Sequence, residues 1–422
     1  MKILWVVNIS FPDVVSELNL NSACYGGWLL GLSGALIRDE SIELGICNLN
    51  KSITNIEKFK KNGIKYYVLP FDKNKNSEFS SGTTDLFKEV YRDFQPDIVH
   101  IHGTEFGHSL SALRACSKTT KNVISIQGLT SLCSYHYLEG IPLNVKMIPT
   151  IRDIIRRDSI MLQVRKFEKR GKLEINCLKE TQNIIGRTNW DEAVTFLHNN
   201  NRSYYCVNEI LRDAFYTGEW LYEKCNKHSI FVSQSSYPIK GFHLLLKSLA
   251  IIKKEIPDIK VRVSGDLPYI KGLKGTLLQT RYGNYIKKTI KKLKLEDTIV
   301  FLGNIDEMTM KEEFLKANVF VSPSIVENES NSVSEAKILG VPVVSSYVGG
   351  VAQRIEHGVD GFTYPHMEYY MLAFYVVKLL NNTELSKKIG YNAQINARIV
   401  NDVGTNIKAL KSAYLSILNK KD

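Results

Sequence analysis

The chain is poor in the signals that would place it in several common classes. Its 422 residues contain no stretch approaching the ~18 consecutive apolar residues of a membrane span. The opening run Met1-Lys2-Ile3-Leu4-Trp5-Val6-Val7-Asn8 is too short for a secretory leader, has no small-residue cleavage site, and reads as a first buried strand. Seven cysteines, an odd number, show neither C-x-x-C nor mixed Cys/His ligand spacing, so reduced thiols, no structural zinc and a cytoplasmic location are expected. That first strand is not followed by G-x-G-x-x-G, which argues against a nicotinamide-dependent dehydrogenase. No helix-turn-helix, zinc-finger, RRM or KH pattern is visible, so nucleic acid is not an expected partner. There is no internal repeat and no low-complexity tail.

The chain does have the composition of an ordinary globular protein, with 44% hydrophobic and 23% charged residues. Its length predicts two domains, each with its own core. A net charge of +12 suits an anionic substrate or an anionic membrane surface, or is a lysine bias without function. Short β-rich runs alternate with helical runs, the mark of α/β domains with parallel sheets. One series runs through Ile3–Asn8, Leu44–Leu49, Tyr66–Leu69, Ile98–His102, Val123–Gln127, Ile184–Thr188 and Tyr204–Val207. A second begins at Ile230–Ser233 and continues through Val261–Ser264, Ile299–Leu302, Val319–Val321, Val341–Ser345 and Phe362–Tyr364. The expected layout is an N-terminal Rossmann-like domain over 1–208, a linker over 209–227, and a C-terminal Rossmann-like domain over 228–401 facing the first across a cleft, with a last helix in 402–422.

The densest chemistry lies in Ser322–Ala336. The run Val319–Val321 predicts a buried strand, and Ser332-x-x-Glu335 predicts a helix opened by a capping box. Glu327 is then on the loop and Glu335 in the first helical turn. Both would face the crevice at the carboxyl end of a sheet, where ligands of open α/β sheets bind. Amides near Asn331, Ser332 and Val333 would suit a phosphate. A carboxylate on each side of a phosphate is what a nucleotide-sugar needs. Either glutamate alone would read as a helix cap or a solvated loop residue.

The continuation Leu339-Gly340-Val341-Pro342-Val343-Val344-Ser345-Ser346, then Val348-Gly349-Gly350, adds a pattern. Residues 322–361 resemble the signature of family-4 retaining glycosyltransferases, E-x7-E followed by EA…G-x-P-V-V-S…GG. The resemblance implies the GT-B architecture, a nucleoside-diphosphate-sugar donor bound by the C-terminal domain (228–401), a sugar or lipid-linked acceptor on the side of the N-terminal domain (1–208), and a last helix in 402–422 that could cross back onto the N-terminal domain. It implies no cofactor and no metal, in keeping with the lack of any Asp-x-Asp pair. Glu335 would hold ribose hydroxyls, and Glu327 would orient the donor sugar and face oxocarbenium charge.

Ser233–Gly241 resembles the family's G-R-…-K-G loop, in which arginine and lysine clamp the donor diphosphate. Lys240 keeps the lysine and Gln234 stands at the arginine position, so Arg187, at the end of a strand, is the candidate substitute. Tyr25-Gly26-Gly27-Trp28 resembles the N-terminal glycine loop, with Gly26 and Gly27 allowing close approach to the diphosphate. His102 and Gln127, at two strand tips, and Asn328 are candidate contacts to sugar or acceptor; many family members have a histidine where Gln127 stands. Gly186–Trp220 resembles a bacterial polysaccharide-synthesis branch.

The function so implied is retaining transfer of a hexose or related sugar to an acceptor hydroxyl in cell-surface polysaccharide or glycolipid assembly. A sugar-nucleotide epimerase of the same architecture remains an alternative. So does a non-catalytic nucleotide-sugar-binding or membrane-docking protein, which the missing arginine at Gln234 keeps open. Ile151–Lys172 is dense in arginine and lysine. As one helix it would gather Ile151, Ile154, Ile155, Met161 and Leu162 in an arc of about 120°. Such a helix fits an anionic bilayer or packs on its own domain equally well; the resemblance favours the bilayer, at its cytoplasmic face.

Overall fold

A computed structural model describes residues 1–20, 27–71, 77–117, 119–269 and 278–420. The chain is α/β and divides into two compact units. Unit 1 is Met1–Ser131, Lys166–Arg212 and Asn401–Asp422; unit 2 is Leu132–Arg165 and Asp213–Val400.

Unit 1 is built on a sheet of eight described strands: β1 (Lys2–Val7), β2 (Glu43–Asn50), β3 (Glu57–Lys61), β4 (Ile64–Pro70), β5 (Ile98–His102), β6 (Lys121–Ser125), β7 (Asn183–Gly186) and β8 (Ser203–Cys206). Their order is β3-β4-β2-β1-β5-β6-β7-β8. Only β3 runs antiparallel, joined to β4 through Asn62-Gly63, both at positive φ. The central strands are apolar runs buried on both faces, as helix-covered parallel strands must be. The two histidines of β5, in Ile-Val-His-Ile-His, are buried with them. The helix Val403–Asn419 belongs to this unit. Its Tyr414 hydroxyl accepts from the Trp5 indole at 3.1 Å and shares a 2.6 Å hydrogen bond with His100, while Lys411 pairs with Asp39 at 2.6 Å.

Unit 2 has a six-stranded, all-parallel sheet: β9 (Ser229–Val232), β10 (Lys260–Ser264), β11 (Ile299–Gly303), β12 (Val319–Ser322), β13 (Val343–Ser346) and β14 (Phe362–Tyr364). The order β11-β10-β9-β12-β13-β14 is doubly wound. Its strand order reverses between β9 and β12, which pair with each other. Helices and loops leave neighbouring strands there in opposite directions, opening a crevice at the carboxyl ends.

Two features depart from the sequence expectations. Leu132–Arg165, placed within 1–208 from its sequence, belongs to unit 2. It is held there by the Glu139 carbonyl on His243 (2.9 Å), the Thr150 hydroxyl on the Gln279 carbonyl (2.9 Å) and the Arg281 amide on Asp153 (3.0 Å). The single basic helix expected over Ile151–Lys172 is also broken. A five-residue helix, Ile151–Ile155, ends at Arg156, Arg157 turns left-handed (φ 47°), and a second helix, Ile160–Glu180, follows. The break is fixed locally, since the Asp158 amide donates to the Asp153 carbonyl at 3.0 Å and Asp158 pairs with Arg152. Among the described residues no disulfide joins Cys47, Cys116, Cys133, Cys177, Cys206 and Cys225, and no helix is long and apolar enough to cross a membrane.

Candidate active site

In unit 2 the segments that follow β9 and β12 meet at the reversal of strand order. After β9 the chain makes a loop and a 3-10 turn, Pro238–Lys240. It then passes through Gly241 (φ 66°) into the helix Phe242–Glu255. After β12 it runs through Pro323–Ser330 into the helix Asn331–Leu339. The two segments are stitched together. The Ile325 amide donates to the Ile239 carbonyl at 2.8 Å. The Pro323 carbonyl lies so close to Gly241 that any Cβ there would overlap it, which, with the left-handed backbone, restricts the position to glycine.

This stitching sets Lys240 against Glu327. The Lys240 ammonium donates to the Glu327 carboxylate at 2.8 Å, with both side chains about four-fifths buried. Burial opposes the lysine's charge, but Glu327 and Tyr237 beside it more than offset that, so its pKa lies above the ordinary lysine value and it is cationic at any working pH. A charge pair this far out of water is held by its partner, and removing either member strands the other.

The surrounding candidates fall into place less evenly. Glu335 and Asn328 are buried close by in sequence, and Gln234 is half-buried in the loop after β9, beside Gly265. The expected capping box is not formed. The N-cap is Ser330, it makes no side-chain cap bond, and Glu335 lies buried in the second turn. The Val333 and Ser334 amides both turn back on the Ser330 carbonyl (2.9 and 3.2 Å), so Val333 is not the anion donor expected; Asn331 and Ser332 precede it in the first turn. Glu329 went unnoticed in the sequence. Its buried carboxylate pairs with Arg354 at 2.8 Å, and the Gly350 amide donates to the Glu327 carbonyl at 3.3 Å, tying the Gly349-Gly350 turn to the same loop.

The remaining candidates lie in unit 1. Gly26 is outside the described residues. Gly27 opens the helix Gly27–Leu36, and a Cβ there would meet Arg212 Cγ at 2.6 Å, so a larger residue would force the Arg212 side chain to shift. Arg187 is not an available second cation. It is buried against Glu209 in an ion pair and donates to the carbonyls of Ile126 (2.7 Å) and Gln127 (3.4 Å). With Trp28, His102 and Gln127 these two line a cavity of about 30 Å³, room for one water. His100 is saturated by Tyr414 and Ser125, both at 2.6 Å, and burial pushes its pKa down to about 3. His102 stacks on it at 3.8 Å and has both ring nitrogens buried without a hydrogen-bond partner. Among the described residues no group of three or more His, Cys, Asp or Glu side chains is arranged to hold a metal ion.

Sequence reasoning also missed Glu105, three residues beyond the tip of β5. One of its oxygens accepts from the Gly128 amide at 3.0 Å, and the other is buried without a partner. Burial, aided by Glu174 and opposed by backbone donors and Arg170, raises its pKa from 4.5 to about 7. The folded state therefore keeps a proton that the unfolded chain loses earlier, and stability falls as pH rises from 4.5 to about 7. Urea unfolding across that window should show the fall, and Glu105→Gln should flatten it; an unchanged pH profile in the variant would assign the slope elsewhere.

Residues 222–395 match the family model described as glycosyl transferases group 1. That stretch, under half of the chain, lies within unit 2. It contains β9–β14, Lys240, Glu327 and Glu335. Over 187 residues the chain is 28% identical to the capsular polysaccharide biosynthesis glycosyltransferase CapM of Staphylococcus aureus, covering 43% of this chain and 44% of that one. The matches span less than half the length of the curated relatives found. In fold the chain resembles sucrose-phosphate synthase from Thermosynechococcus elongatus (TM-score 0.72, 14% identity, 99% of this chain and 98% of that one). It also resembles Anabaena HepE, solved with UDP-glucose (TM-score 0.65, 16% identity, 99% and 100%). The fold is thus GT-B, two Rossmann-like parallel-sheet units in one chain.

Proposed function

We propose that the protein is a retaining glycosyltransferase of the family-4 type, acting in the cytoplasm or at the inner face of the membrane. It would transfer a sugar from a nucleoside diphosphate to an acceptor hydroxyl during assembly of a cell-surface polysaccharide or glycolipid. The observation that carries this reading is the Lys240–Glu327 pair, set at the carboxyl ends of β9 and β12 in the stretch that matches the group 1 glycosyl transferase model. The relative CapM, named for capsular polysaccharide biosynthesis, and the likeness to a protein that binds UDP-glucose support the substrate class.

In this reading the lysine exchanges partners. In this structure Glu327 neutralises Lys240; with donor bound, the ammonium turns to the diphosphate and stabilises the charge that gathers there as the glycosidic bond breaks. Glu327 is then released to the sugar hydroxyls and the developing oxocarbenium charge. Glu335 takes the ribose hydroxyls, and the Asn331 and Ser332 amides, with Gly26 and Gly27, take phosphate oxygens. Gln234, uncharged, donates one hydrogen bond where a guanidinium would supply two and a charge. Asn328, His102 and Gln127 are assigned to sugar and acceptor. No cofactor and no metal enters the scheme: the cation and the helix amides supply the electrostatics.

Purified protein incubated with radiolabelled UDP- and GDP-sugars should release nucleoside diphosphate by hydrolysis or transfer. Isomerised donor would indicate an epimerase instead, and binding without turnover a non-catalytic partner. Glu327→Ala should lower turnover more than about tenfold, the equivalent of ~1.4 kcal/mol of transition-state stabilisation. Unchanged turnover would remove Glu327 from the mechanism.

A further inference from the structure

The segment Leu143–Ile155 inverts the usual polarity of a surface. Two five-residue helices, Leu143–Met147 and Ile151–Ile155, are joined by Ile148-Pro149-Thr150. Several of their polar groups are tied inward. Asp153 is buried, closes a capping box with Thr150 and accepts from the Arg281 amide at 3.0 Å. Thr150 donates to Gln279, and Arg281 donates to the Asn144 carbonyl at 3.1 Å. Their large apolar groups face outward. Leu143, Met147, Ile148, Ile151, Ile154 and Ile155 are all more than half exposed, Ile155 at 75% and Leu143 at 73%. Isolated exposed leucines are ordinary on protein surfaces, but six large apolar side chains presented by thirteen residues are a patch.

The charges on this surface have one sign. Arg156 and Arg157 follow the second helix and are exposed, and Lys146 is half-exposed on the first. The segment's carboxylates are withdrawn: Asp153 is buried, and Asp158 is paired with Arg152 at 3.3 Å. We propose that this face docks unit 2 on an anionic lipid bilayer, with the aliphatic side chains entering the acyl boundary and the arginines resting on lipid phosphates. Apolar insertion combined with cationic contacts is the chemistry that holds interfacial segments on anionic membranes. A protein partner would have to offer an apolar, acidic groove to this surface; a bilayer of anionic lipid offers both everywhere. The inference deepens the functional reading by naming the surface at which a lipid-linked acceptor would be met. It is drawn from exposure and charge alone, so it stands or falls separately from the activity.

Flotation with vesicles of phosphatidylcholine containing phosphatidylglycerol tests it. The wild-type protein should float, less so at high salt and less so with phosphatidylcholine alone. The double variants Ile154→Glu/Ile155→Glu and Arg156→Glu/Arg157→Glu should each bind at least about tenfold more weakly. All four side chains are exposed, so hydrolysis of a soluble nucleotide-sugar should be unchanged in both variants, which separates loss of docking from loss of fold or site. Undiminished flotation of either variant, or no flotation of the wild type, would overturn the proposal. So would a wild-type dimer in sedimentation equilibrium that the isoleucine variant dissociates, since a second copy would then be the occupant.

Discussion

Lys240→Ala is expected to reduce turnover of the nucleotide-sugar by about 10²–10³-fold, the range seen when one preorganised group stabilising transition-state charge is removed. The size follows from where the ammonium sits. It is four-fifths buried, on a turn whose glycine neighbour is locked beneath the Pro323 carbonyl, so it cannot be replaced by a mobile surface cation. Lys240→Arg should restore little, because the guanidinium is planar and larger and the space beside Glu327 was shaped around a single ammonium. Two measurements distinguish the catalytic role from a structural one. First, the loss should fall on kcat more than on KM if the interaction strengthens as the leaving group gains charge. Second, Lys240→Ala/Glu327→Ala should be no less stable than Lys240→Ala alone, since the single variant strands a partly buried carboxylate and the double variant does not. Turnover of Lys240→Ala within a few-fold of wild type would remove the lysine from the mechanism and leave the pair a packing feature.

The parts of the fold that could be read from sequence were those under a single strong constraint. Parallel strands buried on both faces must be apolar runs, so Val319–Ser322 and Ile98–His102 stood out against their flanks. Strand β3, Glu-Lys-Phe-Lys-Lys, did not, because it is an edge strand whose charges keep other chains from pairing with it. Its signal lay instead in the Asn62-Gly63 turn, a favoured hairpin pair that lysines on both sides disguised. Connections were legible as helices but not as to which sheet they joined. Nothing in Leu132–Arg165 announces that Asp153 will meet the Arg281 amide across 128 residues of chain.

The candidate site shows the same division. The resemblance implied one donor site for Lys240 and Glu327, but their direct pairing across 87 positions depends on how two loops pack. The capping-box pattern at Ser332 and Glu335 misled because burial of Glu335 overrides a local preference worth about 1 kcal/mol. Glu105 was invisible for a related reason: its raised pKa comes from burial and Glu174, neither of which leaves a mark on the residues beside it.

Arg187→Ala should destabilise the protein by about 3–5 kcal/mol, the cost of leaving one member of a buried ion pair without the other. The sequence presented Arg187 as a cation at a strand end, a substitute for the arginine missing at Gln234. In the structure it is 4% exposed and paired with Glu209, and its guanidinium also satisfies two carbonyls at the end of β6. These bonds consume donors that a diphosphate clamp would need, so its removal should be felt in folding before it is felt in donor binding. Urea unfolding should show a lowered midpoint for Arg187→Ala. Arg187→Met/Glu209→Leu should recover most of the loss, because apolar isosteres remove both charges at once. UDP affinity measured on whatever fraction remains folded should be close to wild type. The opposite pattern, an unchanged midpoint with UDP binding weakened tenfold or more, about 1.4 kcal/mol, would return Arg187 to the donor site. It would also mean that its bond to Glu209 is exchanged for the diphosphate, as proposed for Lys240 and Glu327.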